Sequence, residues 1–338
     1  MGESDDGAVM KKRSLSGIKS TGTPHLGNYL GMIRPAIDLQ DEFDSFYFVA
    51  EYHALTSERD PAAMRASTHM ITANFLAFGL DPDRAAFFRQ SDVPEVTELS
   101  WILSCVTHMG LLERAHGYKA AKDQGKEKEI NHGVFSYPML MAADILIYDS
   151  DVVPIGKDQI QHLEMTRDIA VKLNQAFGEN LVKLPEALVR DEVAVVPGTD
   201  GRKMSKSYNN IIEPLGKPKA LRKQIMSVVS DSTSLEDPKD PTNDNTFALY
   251  KLFATPDELA EMEANYRGGN YGYGHAKQAL YEKMNDYFGP YREKYDAIYA
   301  DEDFLEGVLE AGALRVRPIV EEVMDRVRYA TGLGARRR

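Results

Sequence analysis

The chain has 338 residues, of which 40 are Lys or Arg and 52 Asp or Glu, for a net charge of −12. Apolar residues make up 43% and charged residues 27%, the mix of a globular protein able to bury a sizeable core and to divide into about two domains. The lone cysteine, Cys105, excludes a disulfide scaffold and a four-cysteine metal site, and the acidic balance confines any nucleic-acid partner to local basic patches such as Lys11-Lys12-Arg13, Lys217–Lys223 or Arg336-Arg337-Arg338.

Residues 1–12 open with an acidic stretch and lack an apolar segment of signal-peptide type, so they read as a disordered leader. No apolar run reaches the roughly 18–20 residues that span a bilayer, and a cytoplasmic location is expected. Ser14–Ile18 reads as a first strand. Thr21-Gly-Thr-Pro-His-Leu-Gly-Asn28 follows and leads into a helix expected over Tyr29–Phe43. Gly22, Gly27 and Gly31 would let backbone approach a nucleotide closely, and a helix N-terminus favours phosphate, although an ordinary strand–helix turn has the same look. Phe46–Ala50 is a buried strand by composition, Pro61–Gly79 a helix by periodicity, and Ala85–Phe88 another strand. Trp101–Leu112 carries apolar residues that suit either a subunit interface or an intrachain core helix, with Cys105 taken as core. Asp144 interrupts the apolar helical run Met139–Tyr148. A buried carboxylate there needs partners, so it is a helix hydrogen bond, an exposed residue, or a pocket group that accepts a substrate N–H. Asp151–Ile155 is a third such strand.

Strands alternating with helices predict an α/β fold, a Rossmann-type doubly wound parallel sheet whose ligands lie outside the carboxyl ends of the strands. Beyond about residue 210 the pattern turns all-helical, with helices expected at Pro218–Val229, Pro256–Asn265, His275–Phe288, Tyr291–Tyr299 and Ala313–Gly332. Turn-rich breaks lie at 237–243 and 268–274.

At the junction of the two regions stands Lys203-Met204-Ser205-Lys206-Ser207, after the turn Gly198-Thr199-Asp200-Gly201. Two lysines three apart, with hydroxyls between, suit a mobile loop that grips a leaving pyrophosphate; a bare KxxK would be a solvated basic loop. The full string is KMSKS, the second signature of class I aminoacyl-tRNA synthetases. His25-Leu26-Gly27-Asn28 resembles their HIGH signature, with Asn28 in the place of the last histidine. Further segments are Ala50–Thr56, Phe88–Pro94, Phe135–Tyr148, Val152–Gln159, His162–Asp168 and Tyr271–Gly274. Taken in this order, from Ser14 to the basic tail, they resemble the bacterial-type tryptophanyl branch of that family.

The resemblance implies a catalytic domain over 13–208 with a dimer-forming insertion at roughly 90–135. It further implies a helical anticodon-binding domain over 209–315, and a C-terminal helix and basic tail, 316–338, packing back on the catalytic domain. It implies activation of L-tryptophan by ATP, accompanied by Mg²⁺, to tryptophanyl-adenylate and pyrophosphate, then transfer to the 3′ end of tRNA(Trp). The substrate carboxylate is its own nucleophile, and no protein-held metal is called for. His25, Asn28, Lys203, Ser205 and Lys206 match the catalytic positions. Lys19, Ser20, Thr21, Gly27, Gly156, Lys157, Asp158, Met204 and Ser207 match further positions at ATP.

On the amino-acid side, Asp144 matches the acceptor of the indole N–H, and Tyr137 and Gln159 match the residues that hold the substrate ammonium. His53, Met141, Val153 and Ile155 match the pocket wall. Two positions depart from the commoner pattern: Lys19 replaces a glutamine, and Leu15 stands where an aromatic ring often packs on the indole. A site built to bond a substrate N–H rejects analogues that lack it by roughly 10⁴–10⁵, so no editing domain is required. Tyr271, Tyr273 and Lys277 are candidate RNA contacts. The competing readings are a tyrosyl-specific relative, a small-molecule nucleotidyltransferase and a non-catalytic RNA-binding paralogue. Asp144 and the Val152–Gln159 run speak against the first, the long helical region against the second, and the intact KMSKS string against the third.

Overall fold

The computed structural model describes residues 11–19, 22–123, 125, 130–156, 159–189 and 196–334. The expected ATP-site residues Ser20, Thr21, Lys157 and Asp158, ten residues of the leader and the terminal arginines lie outside them.

Five strands, β1 Arg13–Ile18, β2 Asp44–Val49, β3 Ala86–Arg89, β4 Val152–Ile155 and β5 Glu186–Val189, form one sheet in the order β3-β2-β1-β4-β5. Each neighbouring pair is parallel, with Leu15 opposite Phe46 and Ser14 opposite Val152. The helices are α1 Leu26–Asn28, α2 Arg34–Asp38, α3 Glu51–Ala54, α4 Pro61–Ala77, α5 Glu95–Val106, α6 Met109–Leu112 and α7 His116–Asp123. They continue with α8 His132–Leu146, α9 Ile160–Phe177, α10 Pro218–Met226, α11 Asn245–Tyr250, α12 Pro256–Gly268, α13 Tyr273–Tyr299 and α14 Glu302–Thr331.

The apolar run of β2 is buried on both faces, as a central parallel strand requires. Phe46 and Phe48 point into one core with Leu15, Phe88 and the inner faces of α5, α8 and α9. Tyr47 and Val49 point into the other, with Phe87 and residues of α4, α10 and α13.

The expected Tyr29–Phe43 helix is broken. It begins at α1, passes through a π-helical turn over Tyr29–Ile33, and ends in a 3₁₀ turn at Leu39–Asp41. Pro35 has no N–H for an α-type bond, and the Arg34 N–H reaches back to the Tyr29 carbonyl instead. Helix α4 follows the sequence closely, capped by Asp60 and stopped where Gly79 takes φ +108°.

Two helices expected after residue 273 are one, α13, with Pro290 inside it. Its buried residues Ala276, Leu280, Met284, Phe288 and Arg292 recur every four positions through the proline. Continuous packing outweighs the roughly 3 kcal/mol an interior proline costs. The same holds for α14, which contains Pro318 and runs straight through the expected 315/316 boundary. Strand β5, which the sequence reading lacks, is a mostly exposed edge strand with only a three-residue apolar run, Ala187–Val189, to betray it.

Helix α14 wraps around the β3 edge of the sheet. Leu305, Val308 and Leu309 belong to one core, and Ala313, Val316, Val320 and Val323 to the other. Between them Gly312 crosses the strand so closely that a Cβ there would lie 2.1 Å from the Phe87 carbonyl oxygen. Arginines of α14 pin it to β2 and α5: Arg315 to Asp44 at 2.8 Å, Arg317 to Glu95 at 2.6 Å, and Arg328 to Glu98. An edge strand is thereby covered rather than left open to pairing.

Cys105, taken as core, is exposed. Helix α5 buries Val96, Leu99, Ile102 and Leu103, and the 3.6-residue period turns Trp101 and Cys105 to the opposite face, where Trp101 is 71% exposed.

Candidate functional site

The strand order reverses between β1 and β4, which makes their carboxyl ends the switch point of the sheet. Lys19 and Gly156 leave the sheet there, both exposed. Next to β1, His25 caps α1. Its Nδ1 accepts the Asn28 N–H at 3.3 Å, and the Asn28 Oδ1 accepts the His25 N–H at 3.0 Å. This reciprocal bond fixes two polarities. The imidazole proton sits on Nε2, and the Asn28 amide nitrogen is left as a donor. Burial, helped by the nearby Lys206 ammonium, pushes the His25 pKa down to about 4, so the ring is a neutral hydrogen-bond donor at pH 7. Gly27 makes room for it, since a Cβ there would come within 3.0 Å of the imidazole Cε1.

The Lys203–Ser207 loop lies against this turn. Leu26 N–H donates to the Ile212 carbonyl at 2.8 Å, and buried Met204 packs beside Gly27. The Lys206 ammonium stands over Gly22, 3.0 Å from where a Cβ would be, at a φ of +58° that itself favours glycine. The loop is held from beneath by Asn210, which is 1% exposed. Its Oδ1 accepts the Ser205 N–H at 2.8 Å, and its Nδ2 donates to Asp200 Oδ1 at 2.6 Å and to the Lys203 carbonyl at 3.1 Å. Only glycine fits opposite: a Cβ on Gly198 would lie 2.2 Å from the Asn210 amide nitrogen. The Ser205 and Ser207 hydroxyls face one another at 2.9 Å, and Lys203 is exposed at the loop's start. Sequence reasoning missed Asn210, whose signal is only an asparagine just past a motif.

The second cluster centres on α8. Tyr137, Met141 and Asp144 share one face by helical spacing. Asp144 is 2% exposed and partnered, which settles it as a buried carboxylate. His53 Nε2 lies 2.8 Å from its Oδ2, and Gln90 Nε2 donates to its Oδ1 at 2.6 Å. Burial pushes its pKa up, while the bonds from His53 and Gln90 pull the other way. The Tyr137 hydroxyl lies 3.2 Å from His162 Nε2, and its ring stands edge-on to His53. Leu15 and Val153 are buried in the adjoining core, with Met141 and Ile155 half-buried against it. Gln159 is exposed at the start of α9, its N–H on the Gly156 carbonyl at 3.0 Å. Gln90, which was assigned no role from sequence, is fully buried at the end of β3.

The expected RNA contacts are all half-buried within the helical region. Tyr271 donates to Met262 Sδ, Tyr273 to Asp231 at 2.6 Å, and Lys277 to Ser230 at 3.5 Å. Among the described residues, no group of three His, Cys, Asp or Glu side chains could hold a metal ion. No described helix is long and apolar enough to cross a membrane.

Comparison with known proteins identifies the family. The family described as tRNA synthetases class I (W and Y) matches residues 10–289. A tryptophan–tRNA ligase of Rhodopirellula baltica is 51% identical over 95% of this chain and 99% of its own length. One from Fusobacterium nucleatum is 50% identical over 95% and 98%. A crystal structure of tryptophanyl-tRNA synthetase from Campylobacter jejuni, complexed with ADP and tryptophan, superposes with a TM-score of 0.90 at 48% identity, covering 95% of this chain and all of that one. The Mycoplasma pneumoniae tryptophanyl-tRNA synthetase superposes at 0.77 with 28% identity, covering 96% of this chain and 99% of that one. With these motifs on a doubly wound sheet and relatives matched over nearly their full length, the chain belongs to the class I tRNA synthetases for W and Y, among the bacterial tryptophan–tRNA ligases.

Proposed function

We propose that this protein activates L-tryptophan with ATP and transfers it to the 3′ end of tRNA(Trp). The observation that carries the reading is Asp144: a buried carboxylate, held by His53 and Gln90, at the centre of a cluster lined by Met141, Val153 and Ile155. An indole N–H satisfies such an acceptor, and a tyrosine or phenylalanine side chain brings no N–H there. Full-length similarity to tryptophan ligases supports it independently.

In this mechanism the tryptophan carboxylate attacks the α-phosphorus of ATP, which enters with Mg²⁺, and pyrophosphate leaves. Tyr137 and Gln159 hold the ammonium, and His53 with Asp144 orients the indole. Lys19 stands near the substrate carboxylate and ATP. His25, through Nε2–H, and Asn28, through its amide, donate to the phosphates. Gly156 and Asp158 meet the adenosine, and Lys203, Ser205 and Lys206 take up charge on the departing pyrophosphate. Residues 209–315 read the anticodon. Two copies pair through the insertion at roughly 90–135, where Trp101 and Met109 leave apolar surface exposed, 71% and 60% respectively. The single cysteine fits a reducing cytoplasm.

The test is amino-acid-dependent ATP–pyrophosphate exchange, with tryptophan and tyrosine side by side and Asp144→Ala as control. Exchange with tryptophan alone, weakened in the control, is expected. Exchange with tyrosine overturns the specificity, and no exchange in folded protein that binds tRNA overturns the activity.

A further inference from the structure

Gln90 is fully buried, follows β3, and has no partner in solvent. Both ends of its amide are used. Its Oε1 accepts the Tyr52 N–H at 2.9 Å, and its Nε2 donates to Asp144 at 2.6 Å. The Tyr52 bond fixes which end of the amide is which: the carbonyl faces α3, so the NH₂ must face α8. The amide therefore ties three segments, the end of β3, the start of α3 and the middle of α8, to one carboxylate. His53, on α3, takes the other oxygen of that carboxylate.

We infer that Gln90 is a positioning residue for amino-acid selection: it locks the Asp144 carboxylate in orientation and keeps it an acceptor for the indole N–H. This rests on the tryptophan reading above. A buried carboxylate has two ways to stop being a good acceptor. It can rotate, or it can take up a proton and present an O–H where the substrate needs a lone pair. An N–H donor bonded to Oδ1 opposes both, because it anchors one oxygen and favours the ionised form. The glutamine cannot itself exchange a proton, so the acceptor role of Asp144 does not drift with pH as it would beside a second acid.

The experiment compares tryptophan with its sulfur analogue, β-(benzothien-3-yl)alanine, which has the same shape and no ring N–H, in pyrophosphate exchange. Wild-type enzyme should prefer tryptophan. Gln90→Leu should lose about 10- to 100-fold in kcat/KM for tryptophan and much less for the analogue, as expected when a buried polar partner is removed. Gln90→Glu is nearly isosteric and sets two carboxyls against one another, so they share a proton at low pH and repel when both are ionised. The ratio of its tryptophan KM to the wild-type value should fall as pH is lowered; His53, which faces the same carboxylate, is common to both proteins and cancels in the ratio. Equal losses for both substrates in Gln90→Leu, or a pH-independent ratio for Gln90→Glu, overturn the inference. A wild-type enzyme indifferent to the sulfur replacement overturns the tryptophan reading instead. If Gln90→Leu does not fold, the Gln90→Glu profile decides alone.

Discussion

The hydroxyl of Tyr29 lies 2.9 Å from that of Tyr287, a residue 258 positions further along the chain. Tyr29 opens the π turn directly after the His25–Asn28 cap, and Tyr287 belongs to α13 of the helical region. Phe78 and Phe288 pack on the Tyr29 ring at centroid distances of 4.4 and 5.2 Å. The turn that follows the His25–Asn28 cap and the helical region are therefore bonded at a half-buried point. Either tyrosine changed to phenylalanine should cost about 1 kcal/mol, and the double variant little more than one single, because the two hydroxyls serve one bond. Urea unfolding of the four proteins closes that cycle; additive losses would refute the coupling.

Asn210 should matter more than its place outside the motif suggests. Asn210→Ala removes the bonds to Ser205, Asp200 and Lys203 together. A fall of roughly 10²-fold in the exchange rate, with tryptophan affinity within about two-fold, is expected, since the bonds lost hold the Lys203–Ser207 loop, to which the proposed mechanism gives the pyrophosphate and not the amino acid. Isothermal titration with tryptophan alone supplies the second quantity.

Lys203→Met and Lys206→Met should each lower the activation rate by about 10²–10³ and spare tryptophan binding, if their charge acts on the departing pyrophosphate. Pre-steady-state adenylate formation reads this directly, and matched losses in rate and tryptophan affinity would sink the role.

His25 makes the fold acid-sensitive. Its folded pKa of about 4 lies below the ordinary 6.5, so the unfolded chain takes up the proton first as pH falls. The sign follows: stability drops as pH falls from about 6.5 toward 4, by up to about 3 kcal/mol, and then levels off. His25→Asn should lose correspondingly less between neutral and acid pH, measured by urea unfolding of both proteins in parallel.

Gly312→Ala should destabilise by about 3 kcal/mol or more, because the new methyl meets the Phe87 carbonyl, which is backbone and cannot swing aside. Gly307→Ala, on the same helix with open space around it, is the matched control and should be neutral or slightly stabilising.

The sequence made the sheet and both motifs readable for specific reasons. Phe46–Ala50 and Ala85–Phe88 are dense apolar runs that only buried strands explain, and a five-residue KMSKS string is too specific to be chance. What escaped notice depended on partners distant in sequence. Whether Pro290 breaks a helix is decided by what packs on either side of it. That Gln90 is buried against Asp144, or Cys105 exposed opposite Leu99, depends on neighbours the local pattern does not name. Nothing in the local sequence marks Gly312 as a close-approach position; only β3 beside it does.

The wrap of α14 around β3 also imposes an order on biosynthesis. The sheet is translated long before the helix that covers its edge, so a ribosome-bound chain ending before Glu302 holds β3 with its outer edge uncovered. Both apolar layers then lack the residues α14 contributes to each. Such a nascent chain is the form most exposed to edge-to-edge association, and C-terminal truncations should aggregate even though every residue of both ligand clusters has already been made.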